Sequence, residues 1–176
     1  ERDHFTKKKV NNELSPFILL NFLEDLDPVK MYFTRSDIRY FQRYRFKIDD
    51  VLKQGNLEPI YDIFRIYRLR VQQRLGFSIN LLLTQENNFQ SDSFYDYNRK
   101  EKNWLEDLES LYNIWQKKTH SDLLTLILAG QTEEIAKDIL EKRYRRFVKK
   151  VNLFNEEDVI SIFLNSYVHT LDPHSA

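Results

Sequence analysis

Residues 56–84 read NLEPIYDIFRIYRLRVQQRLGFSINLLLT. Ile60, Ile63, Phe64, Tyr67, Val71, Leu75, Ile79 and Leu82 recur there every three or four positions. That spacing lays one apolar stripe along a helix, the longest stripe in the chain. Asn56 stands where a helix cap belongs. Pro59 falls in the first turn, where its missing N–H is not needed. Gly76 interrupts the stripe at a cost of about 1 kcal/mol relative to Ala, and a kink is expected there. The most apolar part, FSINLLL at 77–83, is far short of the roughly 20 residues that a membrane span requires.

Toward the N-terminus the same periodicity returns twice. Ser15-Pro16 opens a helix, with Ser15 as cap and Pro16 in the first turn. Phe17, Leu19, Leu20, Leu23 and Leu26 follow at helical spacing, and Asp27-Pro28 ends the run because a residue before Pro avoids the α region. Thr34 and Asp37 form a capping-box pair at the start of a second helix. Ile38, Phe41, Tyr44, Ile48, Val51 and Leu52 trace its face, and Gly55 closes it in a left-handed conformation. Residues 4–13, HFTKKKVNNE, are polar and basic and suit a short helix or an arm.

Toward the C-terminus the pattern first fails. Residues 84–102, TQENNFQSDSFYDYNRKEK, have no sustained period and read as one long loop. Its Phe89, Phe94, Tyr95 and Tyr97 are expected to pack down on the body, with room for a short strand. Asn103 then caps a helix carrying Trp104, Leu105, Leu108, Leu111, Tyr112 and Trp115. Ser121 or Asp122 opens a short apolar helix that Gly130 stops. Thr132 starts a helix through Ile135, Ile139, Leu140, Tyr144, Phe147 and Val151. Asn155 with Asp158 caps a last one carrying Val159, Phe163, Leu164, Tyr167, Val168 and Leu171. The fold class is all-α: an irregular bundle of about seven helices in a single domain over residues 1–176.

Composition agrees. Gly 3 and Pro 4 leave few breakers, and Phe 13, Tyr 10 and Trp 2 supply a large aromatic core. Lys+Arg 27 balances Asp+Glu 27, so no global field draws nucleic acid or anionic membrane. Cys 0 removes disulfides, thiolate nucleophiles and cysteine zinc sites.

The search for chemistry yields no catalytic, cofactor-binding or metal residues. Three scattered glycines make no phosphate loop, and there is no Gly-x-Ser-x-Gly elbow. His169, Asp172 and His174 lie close together, yet the plainer reading is a polar helix end and turn. Glu106-Asp107-Glu109 and Glu156-Glu157-Asp158 read as solvated faces and first-turn charges. Two basic–aromatic runs, Arg39–Lys47 and Lys142–Lys150, resemble nucleic-acid-binding stretches. Wound on a helix, each separates into an apolar face and a rim of cations, which is ordinary amphipathicity.

Several short motifs, in order, resemble one known family. They are Leu26-Asp27-Pro28 with Lys30, Tyr32-Phe33 and Ser36-Asp37; the Gly55–Leu57 turn into Tyr61-Asp62; and Trp104 leading to Leu111-Tyr112-Asn113-Ile114-Trp115 and Lys118. Gly130, Leu140, Arg143-Tyr144, Asn155 through Asp158-Val159 and Leu171-Asp172-Pro173-His174 complete the series. From about His4 to Ala176 the chain resembles the N-terminal helical region of tail-specific proteases, the carboxy-terminal processing peptidases of the bacterial envelope. The resemblance implies a non-catalytic scaffold domain, followed by a PDZ domain and a serine protease body with a Ser–Lys dyad, none of which is in these residues. It implies protein substrates recognised by their C-termini, an adaptor protein as a further partner, no cofactor, and a periplasmic or envelope location. Leu171, Asp172, Pro173 and His174 are expected to be the junction into the next domain, and the start at Glu1 to mark a processed or excised piece. The alternative is a free-standing helical protein-interaction module; nucleic-acid binding ranks below both.

Overall fold

The computed structural model describes residues 14–84 and 95–171. Among the described residues there are seven α-helices, one 3-10 turn and no strand. The helices are α1 (Ser15–Leu26), α2 (Arg35–Phe41), α3 (Ile48–Gln54), α4 (Glu58–Thr84), α5 (Leu108–Leu128), α6 (Glu133–Leu153) and α7 (Glu156–Leu171), with the 3-10 turn at Gln42–Tyr44. The fold is all-α, as the periodicity predicts.

The 27-residue α4 is the spine. It packs against α3, α5, α6 and α7, while α1 lies on α3 and α7. Ile60, Ile63, Phe64, Tyr67, Val71, Leu75 and Leu82 are buried along it, and Ile79 is half-buried. Burying one such side chain contributes about 1.5–3 kcal/mol, so this stripe alone supplies much of the drive to fold. The helix continues through Gly76 without a break. Phe22 of α1 meets Phe163 of α7 edge to face at 5.5 Å, a geometry aromatic rings prefer.

Several local expectations hold. Thr34 and Asp37 form a full capping box. Gly55 closes α3 at φ 72°, and Gly130 follows α5 at φ 96°. Asn56 accepts from the Glu58 amide, and Asn155 and Asp158 cap α7 reciprocally.

Others are corrected by tertiary demands. Ser15 does not cap its own helix: its buried Oγ accepts from the Ile48 amide at 3.0 Å and so fastens α3 to α1. The helix expected from Thr34 to Gly55 is three pieces. The bends let Phe41 pack edge-on to Phe33 while α3 turns to lie on α1. Asn103 caps nothing; α5 begins at Leu108, with Asp107 accepting from the Ser110 amide at 2.7 Å. The preceding residues are held outside the helix because the Leu105 carbonyl accepts from Arg35 N–H and Trp104 reaches into α1's end. No break occurs at Ser121-Asp122. Asp122 is occupied by Lys118 and Tyr144 and does not cap a new helix. Tyr95 is buried and Tyr97 largely exposed, while Phe89, Phe94 and residues 4–13 lie outside the described residues.

Candidate functional site

The first Leu-Asp-Pro gathers four hydrogen bonds on one buried carboxylate. Asp27 follows α1 and is fully buried. Its Oδ1 accepts from the Met31 amide at 2.7 Å. Its Oδ2 accepts from the amides of Tyr32 (3.1 Å) and Phe33 (3.0 Å) and from Trp104 Nε1 (3.0 Å). Burial pushes its pKa up, and the four N–H donors oppose that shift. Pro28 makes the turn; Lys30 completes it at φ 55°, a left-handed conformation that is uncommon outside glycine. The Lys30 ammonium is buried, bound to Glu24 at 2.8 Å and set 4.7 Å from the Trp104 ring centre. Around this core, Trp115 Nε1 donates to the Met31 carbonyl at 2.7 Å and Tyr95 hydroxyl donates to Met31 Sδ at 3.0 Å. The joint therefore ties α1, α5 and residues 95–104 together.

A second buried cluster joins α2 to α4. Arg70 grips Asp37 with two bonds, Nε to Oδ2 at 3.0 Å and Nη2 to Oδ1 at 2.7 Å. Burial opposes ionisation of Asp37, but the Arg70 and Thr34 bonds outweigh it and hold its carboxyl below the usual range. One turn further along α4, Arg74 is fully buried. Its Nη1 donates to Tyr112 hydroxyl at 3.2 Å, and its Nε and Nη2 have no partner among the described residues. Burial pulls its pKa down.

The remaining groups that could carry chemistry are committed to structure. Ser78 accepts from Thr119, and Ser166 Oγ donates to Asp25 at 2.5 Å, with the Ile162 carbonyl at 3.0 Å as the alternative acceptor of its one proton. Ser78 faces only another hydroxyl; Ser166 does lie beside a carboxylate, but it is fully buried and so is not presented to a substrate as an activated nucleophile would be. The acidic clusters cap and pair: Glu106 binds Arg35 and Arg39, Asp107 caps α5 and Asp158 caps α7. In the basic–aromatic runs Arg43 stacks on Tyr40 at 3.6 Å, Lys142 pairs with Asp138 and Arg145 with Glu141. His120 is half-buried with an unpartnered Nε2, and burial lowers its pKa. His169 is exposed near the end of α7. Among the described residues no group of three potential metal ligands comes together; Asp172 and His174 lie outside them, as does His4.

Of the expected junction, Leu171 is the last residue of α7, while Asp172, Pro173 and His174 lie outside the described residues. Here α7 is fixed to α1: Asn21 Nδ2 donates to Thr170 Oγ1 at 2.8 Å, and Asp25 holds Ser166. Arg74 and the partners of Asp27 were missed by sequence reasoning. Arg74 sits on the buried side of the stripe at Val71 and Leu75, a helical-wheel signal that identifies it; nothing in the sequence pairs Trp104 with Asp27. No helix among the described residues is long and apolar enough to cross a membrane.

The family model described as the tail specific protease N-terminal domain matches residues 1–176. The tail-specific protease of Haemophilus influenzae is 24% identical over 176 residues, covering 99% of this chain and 25% of the relative. The chain thus spans about a quarter of the length of that curated relative. With its seven-helix fold and the match over its whole length, this chain belongs to the tail-specific protease N-terminal domain family.

Proposed function

We propose that this chain is the non-catalytic helical scaffold of a serine endopeptidase of the periplasm or cell envelope that selects proteins by their C-termini. The observation that carries the reading is the family match along residues 1–176. The interior supports a scaffold role, because its buried carboxylates and hydroxyls are spent on fastening helices to one another. In this reading Leu171-Asp172-Pro173-His174 is the joint into a PDZ domain, and the Ser nucleophile and Lys base lie in a body further on. Its partners are protein substrates and those domains, with an adaptor protein as a third.

The test is proteolysis by the full-length protein of two peptides that differ only in a free or an amidated C-terminus. Faster cleavage of the free acid, and no cleavage of either by residues 1–176 alone, is expected. Cleavage by residues 1–176 alone, or indifference of the full-length protein to the terminus, overturns the proposal.

A further inference from the structure

A groove of about 420 Å³ runs between α4 and α6. It is lined by Gly76, Ile79, Val148 and Leu153 together with Arg145 and Lys149. The two helices are antiparallel: Arg68 bonds the Phe154 carbonyl, and one turn along α4 Gln72 bonds Asn152. Leu153 is 69% exposed, so part of this apolar lining is open to water.

Gly76 has no explanation among the described residues. It lies within the longest helix, where Gly costs about 1 kcal/mol against Ala. Its φ is not positive, so the backbone does not require it. Among the described residues a Cβ added there meets nothing within 4 Å, so no neighbouring helix of this set requires it either. What the missing side chain does is bare the backbone of α4 toward the groove. A third helix crossing there approaches at the short end of the 8–10 Å range of helix packing.

Charge specifies that helix. The C-terminal half of α6 carries Lys142, Arg143, Arg145, Arg146, Lys149 and Lys150 with no acidic residue among them. Lys142 and Arg145 are neutralised by Asp138 and Glu141, whereas Lys149 has no acidic partner among the described residues. We propose that the α4–α6 groove docks an amphipathic helix of a separate protein, its apolar face over Gly76 and an acidic residue against Lys149. This is the helix-in-groove mode of recognition. It involves these two helices only and does not depend on the protease reading.

The probe is a fluorescent synthetic helix of Leu and Glu, titrated by anisotropy into the full-length protein, with a Leu and Lys twin as control. The Glu peptide is expected to bind and the Lys peptide not. Gly76→Leu fills the notch with a better helix former, so it should weaken binding by about tenfold or more, 1.4 kcal/mol, while the thermal midpoint stays or rises. Lys149→Glu should weaken binding as well. Absence of binding to the full-length protein, equal binding of both peptides, or an affinity unchanged by Gly76→Leu overturns the proposal. Self-association that rises with concentration and is abolished by Gly76→Leu assigns the groove to a second copy and overturns it too.

Discussion

Asp27 and Arg74 are both sealed from water, and the chain treats them in opposite ways. Asp27 meets four N–H donors contributed by the α1–α2 connection and by Trp104. Arg74 offers five N–H bonds and among the described residues finds one acceptor, the Tyr112 hydroxyl, leaving two nitrogens without a partner. Asp37, the carboxylate whose charge acts on Arg74, is already gripped by Arg70. A buried charge stabilises a fold only when its bonding capacity is filled; otherwise its desolvation is a net cost. The Asp27 region is therefore a fastening, and the Arg74 region is a place where stability has been given up.

The sharpest way to break this contrast is Asp27→Ala. It strands three backbone amides and an indole N–H in the core. Urea unfolding should register a loss of about 3–5 kcal/mol, since each stranded buried donor costs about 1–3 kcal/mol and some will relax toward water. A loss below about 1 kcal/mol would show that water or rearrangement satisfies the donors. Trp104→Phe removes a single donor to the carboxylate and keeps an aromatic ring. It should cost about 1.5–3 kcal/mol in the same assay, as expected for a hydrogen bond to a charged group.

On the other side, Arg74→Met keeps most of the side-chain length and removes the unpartnered nitrogens. Stability should stay level or rise by about 1 kcal/mol, since apolar replacements of poorly matched buried charges are often neutral or stabilising. A fall of more than about 2 kcal/mol would show that the guanidinium is better matched than its protein contacts indicate.

The smallest effect is a pH dependence at Asp37, the carboxylate that Arg70 satisfies and Arg74 does not. Its folded pKa lies below its unfolded value of about 3.9. The stability it contributes is present above that unfolded value and is lost as pH falls through the folded pKa. Wild-type stability measured downward from about pH 5 should fall more steeply than that of Asp37→Asn. Parallel curves would mean that the Arg70 pair adds nothing that titrates.

Much of the architecture could be read in advance, because period, caps and breakers act locally. The α4 stripe, the Thr34–Asp37 and Asn155–Asp158 boxes, and the glycine stops at Gly55 and Gly130 are each contained within a few neighbouring residues. The errors share a different character. Ser15 looked like a cap for α1 and serves Ile48, 33 residues away. Asn103 looked like a helix start, yet Trp104 is drawn to Asp27, 77 residues away, and the helix waits until Leu108. Ser121-Asp122 looked like a fresh start, and the carboxylate is held instead by Tyr144 on the adjacent helix.

The candidate surface divides in the same way. The basic run in α6 and the isolated Gly76 are plain in the sequence. That they face one groove follows only from the antiparallel placement of α4 and α6. By itself the sequence determined the helical class, the positions of most helices and the family resemblance, because these depend on local periodicity and on ordered short motifs. The tertiary structure alone decided which polar groups are filled and which are stranded. Pairing of buried charges depends on distances between segments far apart in the chain, and no local pattern encodes them.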